Sequence, residues 1–227
     1  MANHDEAEGP VSRFLFELPT PAVPVAGEDA FYPVRRVFCV ARNYAAHARE
    51  MGGNPEREEP FYFTKPADAL VLGGGEIPYP PETANLHHEI ELVVAVASPL
   101  FRATAEQAAK AIFGYAVGRD KGRPWDLGKS FEFSAPLTSI LRNPATLTAG
   151  AVTLTVNGQT RQTGDISDMI WSVPEVLAHL SRYYHLGAGD LIFTGTPEGV
   201  GPVVPGDRLS GTVEGVATLE VTIVADR

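Results

Sequence analysis

Glu89 and Glu91 stand two residues apart in the run HHEIELVVAVA, which is β-branched, unbroken and bounded by Asn85 and Pro99. Period-two alternation along such a strand sends both carboxylates to one face. Two adjacent anions are costly unless a cation compensates them, and a hard divalent ion taking oxygen ligands is the commonest solution. With no thiolate beside the carboxylates, Mg²⁺ or Mn²⁺ is expected rather than Zn²⁺. The plainer alternative is a pair of solvated glutamates on an amphipathic strand. Against it, Ile90, Leu92 and Val94 on one face are matched by Val93, Ala95 and Ala97 on the other, so both faces read as buried. His87 and His88 could add a nitrogen ligand, but flanking roles suit them better.

His47 and Glu50 are three apart in NYAAHAREMG and fall on one side of a short helix. A carboxylate there would fix the imidazole tautomer and support its charged form, the arrangement of a general base with its orienting acid. A solvated surface pair is the alternative. Lys129, in GRPWDLGKSFEFSAP with Trp125 and Phe131 as candidate walls, could hold a carboxylate or a developing enolate. Lys65 in FTKPADA has the same capacity, and Arg42 joins it as a candidate substrate-binding cation. The run TGTPEGVGP lacks the Gly-Lys-Ser/Thr ending of a phosphate loop, but its backbone N–H groups and the Thr194 and Thr196 hydroxyls could bind a carboxylate.

Several elements must hold these groups. RRVFCVARN reads as a buried strand, followed by a short helix closed by Gly52. FYFTKPADAL is strand-like, and GGGEIPYPP reads as a turn-rich connector. A helix is expected from Thr104 to Ile112, with TAEQ as a capping box. Alternation on both sides of Asn157-Gly158 predicts a hairpin. WSVPEVLAHLSRYYHL predicts a helix presenting Val176, Leu177, Leu180 and Tyr184, and three short strands are expected after it. The fold class is α+β, mostly β. Residues 1–33 read as a loosely attached lead-in with an edge strand near Phe14 to Leu18, and residues 34–227 as the functional domain.

The 227 residues suit one such domain. A net charge of −10 excludes the basic stripe of a nucleic-acid binder, so an anionic substrate needs a local cation. The single cysteine, Cys39, lies in the apolar run VFCV and fits a packed core in a reducing compartment. The first residues carry acids and no basic-then-apolar leader, and no apolar run reaches membrane-spanning length, so a cytoplasmic protein without a membrane partner is expected.

The ordered set ARNYAAHAREM, FYFTKPADAL, NLHHEIELVV, GRPWDLGKSF and LIFTGTPEGVGP resembles the fumarylacetoacetate hydrolase family, above all its acylpyruvate and fumarylpyruvate hydrolases, from about Val34 onward. The resemblance implies the family's mixed β-roll, Mg²⁺ or Mn²⁺ as cofactor, a homodimer and a small 2-oxo acid substrate. It implies that Glu89 and Glu91 are metal ligands, that His47 and Glu50 activate water, and that Lys129 assists at the substrate. One departure concerns the third ligand. The family places an aspartate after the strand matching IFGYAVG, then a Thr-x-Arg-Asp run and a helix, whereas Gly118-Arg119-Asp120 here leads at once into Lys121-Gly122-Arg123. Asp120 is either the third ligand or the aspartate of the later Arg-Asp pair. The expected reaction is hydrolysis of fumarylpyruvate to fumarate and pyruvate in aromatic-acid breakdown. Its rivals are oxaloacetate decarboxylation and an inactive dicarboxylate-binding homologue.

Overall fold

A computed structural model describes residues 15–50, 58–120 and 128–225, and only the backbone at Asp120. The Gly52 helix stop, the Trp125 wall and Phe14 lie outside the described residues.

The run around the two glutamates forms the central strand Leu86–Val96 (β7) of a nine-stranded mixed sheet. On one side it pairs with Asp190–Phe193 (β13), followed by Arg36–Ala41 (β3) and Phe61–Lys65 (β4). On the other it pairs with Ile112–Asp120 (β8), then Ala135–Leu137 (β9) and Leu70–Leu72 (β5). Leu141–Arg142 (β10) joins β8, and Gly201–Val203 (β14) joins β7. A five-stranded sheet runs Gln159–Asp165 (β12), Ala151–Val156 (β11), Arg208–Val213 (β15), Ala217–Val224 (β16) and Gly75–Pro78 (β6). Among the described residues the α-helices are Ala45–Glu50 (α1), Ala105–Ala109 (α2) and Val173–Leu180 (α3). This mostly β arrangement is the α+β class expected. None of these helices is long and apolar enough to cross a membrane.

Alternation along β7 divides the apolar interior. Ile90, Leu92 and Val94 face a core shared with Leu154, Leu209 and Val221 of the smaller sheet and with Val176 and Leu180 of α3. Val93 and Ala95 face a second core with Val37, Cys39, Leu191 and Phe193. Both faces of the strand are therefore dry, and the glutamates continue the face of Val93.

Local signals explain most elements. Thr104 and Gln107 form the reciprocal capping box of α2, and Pro174 sits in the first turn of α3. Asn157 and Gly158 adopt φ of 53° and 77°, as a two-residue hairpin turn requires. Four readings need correction. The helix begun at Thr104 stops at Ala109, because Ile112 already pairs in β8. Tyr184 lies beyond α3 and is exposed. The connector GGGEIPYPP contains β6, which pairs in parallel with β16, so no hairpin turn advertises it. Four strands, not three, follow α3, since Gly201–Val203 docks on β7 despite Pro202.

The lead-in also differs. Leu15, Phe16 and Leu18 are exposed and form no strand. Instead Ala22–Pro24 (β1) pairs with Phe31–Pro33 (β2), and Val23, Val25 and Tyr32 are buried in the second core. The Tyr32 hydroxyl donates to Val96 O at 2.7 Å, so this segment is tied to β7 rather than loosely attached.

Candidate metal centre and acid–base pair

The site is built on the end of β7 nearest its start. In the antiparallel register of β7 and β8, Glu89 lies opposite Asp120 and Glu91 opposite Gly118. Opposed positions on antiparallel strands have Cα atoms about 4.5–5.5 Å apart. Gly118 is required here: a Cβ on it would come within 2.5 Å of the Phe193 ring and 2.6 Å of Val93, the floor beneath Glu91. Glu91 is 2% exposed, and its Oε2 accepts the Gly195 N–H at 2.6 Å. Glu89 Oε2 accepts from Lys129 Nζ at 2.8 Å. The lysine thus reaches the Glu89 carboxylate directly, and its Nζ also stands 5.4 Å from the centre of the Phe63 ring.

His47 and Glu50 meet as the spacing predicts, with Nδ1 and Oε2 3.0 Å apart. His47 is buried, whereas the Glu50 side chain is partly exposed. An ionised Glu50 accepts from Nδ1–H, which leaves the basic lone pair of the neutral ring on Nε2.

The loop after β13 connects these two pairs. Its Gly195 N–H serves Glu91, and its Gly199 N–H lies 3.3 Å from both Glu50 oxygens. Thr194 Oγ1 donates to Leu92 O at 2.9 Å, and Thr196 Oγ1 accepts from Gln162 Nε2 at 2.8 Å, so both expected substrate-binding hydroxyls hold the loop to its surroundings. Gly195 takes φ +96°, and a Cβ there would press on Asn43 at 2.9 Å. Lys65 is buried, donating to Lys129 O and to Ser134 Oγ, so its ammonium supports the segment that carries Lys129. Arg42, exposed and in the left-handed region at φ 58°, lines a separate cleft with Glu58, Glu59, Phe61 and Trp171.

Two buried amides went unnoticed in the sequence. Asn43 donates to Thr194 O and Trp171 O and accepts from Trp171 N. Gln162 accepts from Ile90 N and donates to Thr196 Oγ1 and Pro197 O. Neither is marked locally: Gln162 sits in the wholly polar run QTRQTGD, and Asn43 in the turn after β3. His88 faces away from the glutamates and meets Gln162 Oε1 at 3.1 Å. Burial pushes its pKa down to about 4, against the opposing effect of the Gln162 contact. His87 is turned to Asn85.

Among the described residues, no three His, Cys, Asp or Glu side chains converge as a metal cluster. The two carboxylates nevertheless fit a hard cation. They share one strand face, Cys39 is packed away in the apolar core, and His88 is turned to Gln162 on the opposite face. Nearby Tyr44 has a buried hydroxyl without a hydrogen-bond partner among the described residues, and its pKa is raised by burial first and then by the charge of Glu91.

A family model described as fumarylacetoacetate (FAA) hydrolase C-terminal matches residues 36–224. A fumarylpyruvate hydrolase of a Ralstonia species is 47% identical, the match covering 73% of this chain and 93% of the relative. An oxaloacetate tautomerase of Escherichia coli is 39% identical over 81% of this chain and 90% of its own. The crystal structure of a fumarylpyruvate hydrolase from Pseudomonas aeruginosa, in complex with Mn²⁺ and pyruvate, superposes with a TM-score of 0.90 at 44% identity, covering 94% of this chain and 100% of the other.

Proposed function

The chain belongs to the fumarylacetoacetate hydrolase family, and from that premise we propose that it is a metal-dependent hydrolase of a carbon–carbon bond in an acylpyruvate. Fumarylpyruvate, cleaved to fumarate and pyruvate in aromatic-acid catabolism, is the substrate this reading favours. The observation that carries it is the loop 194–199: its N–H groups reach both Glu91 and Glu50, so the carboxylate pair and the acid–base pair belong to one site. Glu89, Glu91 and Asp120 would hold Mg²⁺ or Mn²⁺, which supplies Lewis acidity toward a 2-oxo acid. The active unit in this reading is a homodimer.

His47 takes a proton from water through Nε2, while Glu50 keeps the opposite nitrogen protonated and stabilises the imidazolium that forms. Water adds to the distal carbonyl, the neighbouring C–C bond breaks, and its electron pair passes to the pyruvate fragment as an enolate. Lys129 Nζ, held at Glu89, is the cation that would stabilise the developing negative charge in this reading. Proton return to the enolate carbon gives pyruvate.

The Escherichia coli relative favours a second reading, enolisation of oxaloacetate, and decarboxylation of the same acid is its neighbour. Neither needs attacking water. Protein stripped with EDTA and reloaded with Mn²⁺ should release pyruvate from fumarylpyruvate. Turnover of oxaloacetate alone would replace the hydrolase reading with the second, and Mn²⁺ binding without turnover of either would support an inactive binder.

A further inference from the structure

β12 is an edge strand whose residues are mostly exposed, yet Gln162 within it is 0% exposed. Inward positions of such a strand ordinarily carry apolar side chains, and a buried amide is costly unless its hydrogen bonds are made. Gln162 makes all four that a carboxamide can make. Ile90 N can only donate, so the atom it meets at 3.1 Å is Oε1, and Pro197 O can only accept, so its 2.8 Å partner is Nε2. That assignment also puts the proton of neutral His88 on Nδ1, facing Oε1. The amide therefore grips β7 with its oxygen, at residues on either side of Glu89, and grips the loop with its nitrogen, at Thr196 and Pro197.

The surrounding backbone reinforces the same junction. A Cβ on Gly199 would come within 2.0 Å of Arg161 O, and one on Gly164 within 2.7 Å of Pro197. The loop is pressed against β12 on both sides of Gln162. The N–H groups that serve Glu91 and Glu50 belong to Gly195 and Gly199, at the two ends of this clasped stretch.

We propose that Gln162 is a positioning residue of the reaction: by clasping β7 to the loop 194–199, it sets the loop's N–H donors on Glu91 and Glu50 at once. It couples the carboxylate pair to the acid–base pair without touching either. This inference rests on the functional reading above and adds to it the residue that holds the two halves of the site in register.

The test is Mn²⁺ affinity by calorimetry, with the pH profile of pyruvate release and thermal melting measured beside it. Outer contacts that orient metal ligands typically contribute 10- to 100-fold in affinity. Gln162→Met, which keeps length and loses every hydrogen bond, should weaken Mn²⁺ binding about tenfold or more and shift the pH profile. Thr163→Val, at the exposed neighbour on the same strand, should change neither. If Gln162→Met fails to fold, Gln162→Glu keeps the acceptor toward β7 and loses the donors toward the loop, and it should weaken Mn²⁺ in the same direction. A variant that melts lower but binds Mn²⁺ with wild-type affinity and an unchanged pH profile would overturn the proposal. Wild-type protein that binds no Mn²⁺ would instead overturn the functional reading, and this inference with it.

Discussion

Lys129 Nζ lies 2.8 Å from Glu89 Oε2, in a pair whose side chains are only 12% and 15% exposed. An ammonium so placed partly neutralises the carboxylate that a divalent cation would use, while remaining beside the point where substrate charge would develop. Lys129→Met should therefore leave Mn²⁺ affinity unchanged or higher and lower turnover by about 10²–10³-fold. Calorimetry and pyruvate release on the same preparation separate the two effects. Loss of Mn²⁺ binding would make the lysine a support for the carboxylates only.

His47→Ala should reduce turnover by about 10²–10⁴-fold, the usual contribution of a general base. Mn²⁺ affinity should be little changed, since it is the loop's N–H groups that link the pair to Glu91. A wild-type rate in steady-state assays would remove His47 from the reaction.

Asp120 is placed by register alone, directly across from Glu89. As third ligand it predicts that Asp120→Asn weakens Mn²⁺ binding at least about tenfold, a neutral amide being a poorer donor to a hard cation. Unchanged affinity in a calorimetric titration would assign Asp120 to the alternative, the later Arg-Asp pair.

Asp190 anchors the start of β13, the strand that delivers the loop to the site. Burial would raise its pKa, but hydrogen bonds from Arg36, Arg35 and the Gly187 N–H outweigh it and hold the carboxyl below the ordinary value. The native state then binds fewer protons in acid than the unfolded chain. The stabilisation is complete above about pH 4 and is lost as the pH falls through the lower native pKa. Asp190→Asn should cost about 2–3 kcal/mol at pH 7, a value at the low end for a buried pair because both arginines can rehydrate. Denaturation from pH 7 down to pH 2 should show a shallower acid loss in the variant. Parallel curves would refute the linkage.

The Arg119 guanidinium is fully buried and has no hydrogen-bond partner among the described residues, and burial pushes its pKa down to about 9 against the opposing charge of Glu89. It remains charged at neutral pH. Exchanging a poorly compensated buried charge for an adaptable apolar side chain is often stabilising by about 1–4 kcal/mol. Arg119→Met should accordingly raise the melting temperature by several degrees. A lower one would mean that the guanidinium is satisfied in solution.

Local patterns in the sequence determined what depends on short range. Alternation placed Glu89 and Glu91 on one face of a strand dry on both sides, helical spacing paired His47 with Glu50, and capping and turn residues located α2, α3 and the Asn157-Gly158 hairpin. What joins residues far apart in the chain was decided only by the tertiary structure. No local pattern shows that β6 pairs in parallel with β16, that Val23 and Tyr32 fill a core, or that Lys65 serves Lys129 rather than open solvent. Gln162 marks the division most clearly. A glutamine on an edge strand carries no local signal, because its role depends on β7 and the 194–199 loop arriving on either side of one amide. Periodicity reports which way a side chain faces, whereas the group it meets is set by the packing of the whole chain.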